Sequence, residues 1–258
     1  MPKIIINADD FGMTESCTNA IYEAILKGLA TDTTMVANGA YVEPAIEMAQ
    51  EEHLRNKVGI HFNLTNGSPM TTDILSCSRI VQDGFFLNKG EELKRLRLTS
   101  HEKKAIYTEL TAQIEFLQGK NIKLTHADSH HHVHNSPDIL KIALKVCREH
   151  KINKIRILRN VNISNPIKAV AKTCLNLDIK KIHRFAGTDY FGSLDDYQSI
   201  HEVHRGIYEI MIHPDYDSAG ALIDRTAYIN GIPHGKVLAH EMAVISDMEQ
   251  NSYSDIRV

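Results

Sequence analysis

Short apolar runs alternate along the chain with longer segments in which apolar residues recur every three or four positions. The run "KIIINAD" (3–9) is β-rich, continuous and ended by acids, as a strand buried on both faces would be. "TESCTNAIYEAILKG" (14–28) then places Cys17, Ala20, Ile21, Ala24 and Ile25 on one helical stripe, with Gly28 as its stop. "TTMVAN" (33–38) predicts a second strand, followed by a helix opening at Pro44, and "KVGIHFNLT" (57–65) predicts a third. From about 67 to 99 no period emerges, which predicts a long loop or lid. At Thr99, with Glu102 three residues on in capping-box spacing, a helix begins and runs through Ile106, Leu110, Ile114 and Leu117 to Gly119. "IKLTHAD" (122–128), "KIRIL" (154–158), a weaker "IKKIHRFA" (179–186) and "GIYEIMIHP" (206–214) bring the strands to seven. Helices fall between them over 137–150, opened by Ser136-Pro137, over 165–177, and over 193–204, where Ser193 and Asp196 have cap spacing.

Strands alternating with helices predict a parallel α/β fold. With 258 residues, the expected architecture is a TIM-like (β/α) barrel, distorted or incomplete with about seven strands, as a single domain over 1–258. The turn after the first strand, "NADDFGMTE", is not G-x-G-x-x-G, which weighs against a dinucleotide-binding sheet. A net charge of −3 argues against nucleic acid as a partner. Cys17, Cys77, Cys147 and Cys174 form no C-x-x-C pair and are expected as reduced core thiols. No apolar stretch has membrane-spanning length, and the opening run is too short for a signal peptide. A soluble, cytoplasmic protein is the expectation.

In parallel α/β folds, reacting residues gather at the carboxyl ends of the strands. Polar residues interrupt the apolar pattern there: Asp9-Asp10 after the first strand, His61 within the third, Asp128 and His130 after the fourth, and His213 after the seventh. Neighbours on an extended chain face opposite ways, so both aspartates reach one site only if the chain turns, which Gly12 permits. Plainer roles exist for each: one aspartate capping the next helix, His61 as a satisfied core histidine, the histidine run as a solvated loop. That run, "THADSHHHVHNSP" (125–137), holds five of the chain's 15 histidines, His126, His130, His131, His132 and His134. Strand alternation puts His126, Asp128 and His130 on one side, and His131 breaks the alternation. Asp128 or His126 would suit the outer partner that a metal-ligating imidazole usually has. One carboxylate with two imidazoles is a common ligand set for a catalytic divalent ion, non-haem iron included.

Together "NADDFG", "GIHFNLT", "THADSHHHVH" and "MIHP" resemble the YdjC-like carbohydrate deacetylases, which include chitooligosaccharide deacetylases of the ChbG type; the resemblance runs from Asn7 to about Pro214. It implies a distorted (β/α) barrel, a divalent metal (magnesium first, zinc as the alternative), removal of N-acetyl groups from oligosaccharides through an activated water, and a homodimer. It further implies Asp10, His61 and His130 as metal ligands, Asp9 as the base and His213 as the general acid. Asp9 as base must stay ionised beside a cation, and Arg156 or Arg159, at the end of the fifth strand, would supply it or hold sugar hydroxyls, unless they are surface charges. Tyr190 and Phe191 would stack on a sugar ring or pack beneath their loop. The chain after Arg225 follows the family ending only loosely, and 77–96 lies where members vary most, so the identity of the sugar is not implied. The rival readings are a metal-dependent hydrolase of a phosphoester or non-sugar amide, and a non-catalytic metal- or sugar-binding protein. Asp9 and His213 favour an enzyme, since binding alone needs neither a base nor an acid.

Overall fold

The computed structural model describes residues 2–198, 205–226, 228–229, 232–233, 236–239 and 248–257. Its centre is strand β1 (Lys3–Phe11), buried from Ile4 onward on both faces. On one flank lie β2 (Asp32–Met35), β3 (Val58–Phe62) and β4 (Ala127–Ser129); on the other lie β5 (Tyr190–Ser193) and β6 (Ile207–Ile212). The order is β4-β3-β2-β1-β6-β5, and every pairing along it is parallel. Past β4, single bridges link Ala127 to Ile155 and Lys154 to Ala186, which leads into β5. The sheet therefore curls into a distorted TIM-like (β/α) barrel, weakest at its fifth stave.

Helices wrap the outside: α1 (Glu15–Leu26), α2 (Val42–Ala49), α3 (Gly90–Arg95), α4 (Ser100–Gly119), α5 (Pro137–Glu149), α6 (Pro166–Leu177) and α7 (Leu194–Gln198). The α1 stripe of Cys17, Ala20, Ile21, Ala24 and Ile25 is buried as the spacing predicts. Thr99 and Glu102 form the expected capping box of α4, and Ile106, Leu110, Ile114 and Leu117 are fully buried beneath it. Burial of side chains this size contributes about 1.5–3 kcal/mol each. Ser193 and Asp196 exchange the predicted cap bonds at 2.9 and 3.3 Å. Beyond β6, an antiparallel hairpin of β7 (Pro214–Tyr216) and β8 (Leu222–Asp224) folds back over the barrel mouth, and β9 (Glu249–Gln250) pairs with the start of β1.

Several expectations need correction. Residues 154–158 make single bridges to the staves on either side rather than a full strand, and Arg156 in their midst is fully buried. The sixth stave lies later than 179–186: Asp178–Ile182 continues α6 as a π-helical turn, and the strand is Tyr190–Ser193. The 67–99 stretch is not one loop but holds a 3-10 turn, a small hairpin (Val81–Gln82 with Phe85–Phe86) and α3. The second helix opens at Val42, two residues before Pro44. Of the helix expected over 193–204, residues 199–204 lie outside the described residues. Cys17, Cys77 and Cys147 are buried free thiols, whereas Cys174 is exposed on α6.

Candidate metal centre and active site

Neither aspartate at the end of β1 caps α1. Thr14 does, its hydroxyl accepting from the Cys17 N–H. Both carboxylates are free for the barrel interior, and a single backbone angle divides them. Asp10 has φ of +77°, and Gly12 follows at +87°; across this turn the pairing of β1 with β2 shifts register between Ala8 and Phe11. The predicted turn is thus made chiefly at Asp10 itself.

Asp10 meets the two expected histidines. Its Oδ1 lies 3.1 Å from His61 Nε2 and 2.8 Å from His130 Nδ1, and candidate ligand atoms of the three residues all lie within 4.8 Å of one another. His130 reaches inward because the chain turns sharply after it, His131 and His132 both standing at φ of +52°. His61 is oriented from behind, its Nδ1 lying 2.6 Å from Asp128 Oδ1 and 3.1 Å from the Thr34 hydroxyl. That leaves Nε2 facing Asp10, in the carboxylate–histidine arrangement usual at metal centres. Burial opposes charge on His61, yet the flanking carboxylates of Asp128 and Asp10 push it up to about 10. Burial likewise works against ionised Asp10, but His130 and His61 hold it well below the usual carboxylate range. A site that favours a charged imidazole between two carboxylates also suits a cation beside Asp10, and this donor set fits a divalent ion.

Asp9 faces the other way. Arg156, fully buried, donates from Nη1 to Asp9 Oδ2 (2.6 Å) and from Nη2 to Oδ1 (2.7 Å), and Asn7 Nδ2 donates to Oδ1 (2.8 Å). Burial would raise Asp9, but the Arg156 charge and bonds keep it far below the ordinary range. The same guanidinium contacts Asp128 Oδ2 and Glu209 Oε1, each at 2.6 Å, and stacks on Phe191. Asp9, His61 and Asp128 also form a metal-like cluster, but Arg156 Nη1 already serves its two carboxylates as their cation. Across the mouth, His213 Nε2 stands 3.9 Å from Asp9 Oδ2.

Asp9, Asp10, His61, His130 and His213 line a cavity of about 890 Å³ whose walls include α3 and, just beyond the β7–β8 hairpin, Arg225 and Thr226. Of the two arginines left open by the sequence, Arg156 is the one that ionises Asp9; Arg159 pairs with Asp196 at the cavity wall. Phe191 is core, and Tyr190 stacks on Tyr208 with ring centres 4.4 Å apart. His126 lies a layer deeper, its Nε2 on Asn7 Oδ1 and its ring stacked on Tyr253. Sequence reading missed Glu209 and Tyr253, which bond each other beneath Arg156, and Arg225, which donates to Asp10 Oδ2. Glu209 carried a signal: it interrupts an apolar strand two and four residues before Met211 and His213, on the same face. Arg225 and Thr226 carried none, lying past a strand end in an aperiodic stretch.

The fold and site together define a distorted (β/α) barrel with a buried Asp-His-His centre at the carboxyl ends of its strands. The sequence model of the YdjC-like protein family matches residues 3–253, and the chain belongs to that family. It is 39% identical over 150 residues to a carbohydrate deacetylase of Brevibacillus brevis, a match spanning 58% of this chain and 57% of that one. It is 29% identical over 231 residues to a carbohydrate deacetylase of Halalkalibacterium halodurans, across 89% and 91% of the two chains. Among solved structures, an Enterococcus faecalis protein provisionally assigned to cellobiose-phosphate cleavage superposes with a TM-score of 0.69 at 22% identity, over 97% of both chains.

Proposed function

We propose that this protein is a metal-dependent carbohydrate deacetylase that hydrolyses N-acetyl groups of oligosaccharides such as chitooligosaccharides. The observation that carries the reading is the meeting of Asp10, His61 and His130 beside the Asp9–His213 pair, at the floor of one cavity. Asp10, His61 and His130 would hold the ion. A divalent cation bound there supplies Lewis acidity toward the acetamide carbonyl and lowers the pKa of water. Asp9, kept ionised by Arg156, is the first acceptor of the attacking water's proton, and His213 is the donor to the leaving amine.

From the family resemblance the reading takes magnesium as the ion, with zinc as the alternative, and a homodimer; from the chain length it takes one catalytic domain over 1–258, and from the scattered cysteines a cytoplasmic setting. Among the described residues no helix is long and apolar enough to cross a membrane. Ile167, Val170 and Leu177, exposed together on α6, support self-association. Acetate release from di-N-acetylchitobiose, run beside elemental analysis of the purified protein, tests the proposal. Release that chelation abolishes is the expected result; hydrolysis of phosphoesters without acetate release, or no hydrolysis by metal-loaded protein, overturns it.

A further inference from the structure

The β7–β8 hairpin returns the chain to His213 with a definite hydrogen-bond polarity. Asp224, 3% exposed, turns its Oδ1 toward three donors: the His213 backbone N–H (3.2 Å), the Thr226 backbone N–H (3.0 Å) and the Thr226 hydroxyl (2.9 Å). Thr226 Oγ1 lies 3.0 Å from His213 Nδ1. A hydroxyl has one proton. A carboxylate oxygen only accepts, so that proton goes to Asp224, and Thr226 Oγ1 meets His213 with a lone pair. His213 Nδ1 must then be the donor, which in a neutral imidazole leaves Nε2 unprotonated. Nε2 is the atom that faces Asp9 Oδ2, 3.9 Å away.

We propose that Asp224 and Thr226 are positioning residues that hold neutral His213 in its Nδ1–H tautomer, so that it enters the reaction as a proton acceptor at Nε2. This rests on the deacetylase reading and changes how its proton moves. His213 has no Nε2 proton to give until it gains one. The O–H bond of the attacking water breaks, and the proton passes by way of Asp9 Oδ2 to His213 Nε2, making an imidazolium. As the C–N bond of the tetrahedral intermediate breaks, Nε2–H gives that proton to the amine nitrogen. The imidazole returns to its neutral tautomer, and the net change is amide plus water to amine plus acetic acid.

The test reads the imidazole directly. In protein labelled with ¹⁵N-histidine, the His213 ring signals are assigned by their loss in His213→Gln. At a pH where the ring is neutral, Nδ1 should show a bound proton and Nε2 a pyridine-type shift. Thr226→Val should abolish that preference. It should also lower kcat roughly tenfold with KM within about twofold, short of the 10²- to 10⁴-fold cost of losing an acid–base group. Thr226→Ser should restore both. Thr226 is exposed, so the valine variant is expected to fold. A proton on Nε2 in the parent protein, or an unchanged tautomer in Thr226→Val, overturns the assignment. The imidazole signature needs no substrate, so failure of acetate release would overturn the deacetylase reading alone.

Discussion

Asp9 and Asp10 are neighbours in the chain, yet one meets an arginine and the other two imidazoles, and substitutions at the two should separate accordingly. Asp10→Asn keeps the shape but removes the negative charge that His61 and His130 converge on. Both this variant and His130→Ala should lose the divalent ion by elemental analysis and calorimetry, and acetate release should fall to the blank. Asp9→Asn should keep the ion and lose about 10²- to 10⁴-fold in kcat, the usual size of an acid–base contribution. Asp9→Asn with parental turnover would remove Asp9 from the proton path. The five residues that the family resemblance implies also stand out as polar breaks in or after strands, with Asp128 beside them. Their partners were less legible. Arg156 could be read as a candidate but not as a buried one, because burial depends on where three carboxylates from different strands converge.

The turn that separates the two aspartates is held by close backbone packing between the ends of β1 and β2. Gly12 O accepts from the Tyr41 N–H at 3.0 Å, and Met13 O from the Ala40 N–H at 3.2 Å. Gly39 lies directly against this turn: a Cβ there would stand 2.1 Å from Gly12 O and 2.7 Å from Gly12 C, both backbone atoms that cannot swing aside. Gly39→Ala should therefore cost about 1–3 kcal/mol in urea unfolding, as overpacking does, and should also weaken divalent-ion affinity because the displaced turn carries Asp10. A variant that loses stability but binds the ion with parental affinity would show that the turn does not set the ligand. Periodicity found most elements because their stripes are continuous, as in α1 and α4. It failed at 154–158 and at 179–186, on either side of the correctly expected α6. One apolar run carries a buried arginine, and the run over 179–186, apolar enough for a strand, begins by winding into a π-helical turn.

The barrel is closed at the end opposite the cavity by the chain's last described residues, and that closure should make stability depend on pH. Tyr253 is fully buried, stacked on His126 and bonded to Glu209, so the C-terminal segment underlies the Arg156 network. It is fastened by Asp32, whose Oδ1 accepts from the Ser252 hydroxyl (2.8 Å) and the Tyr253 N–H (3.1 Å). Burial, reinforced by the Glu209 charge and only partly offset by bonds from Thr31, Ser252 and Tyr253, pushes Asp32 up to about 7. Its folded value lies above the unfolded one, so the folded state binds the proton more tightly. That contribution is full below about pH 4 and is lost as pH rises through 7. Asp9 and Asp10 have the opposite sign, their ion pairs weakening as pH falls below the ordinary carboxylate range. Asp32→Asn isolates the first term, because the amide oxygen still accepts from Ser252 and Tyr253 and no charge develops. The variant should match the parent in urea unfolding at pH 4 and exceed it at pH 8, by at most about 4 kcal/mol for a shift of this size. Parallel stability curves for the two proteins between pH 4 and 8 would mean that Asp32 ionises without cost, and that the C-terminal segment is not held by a neutral acid.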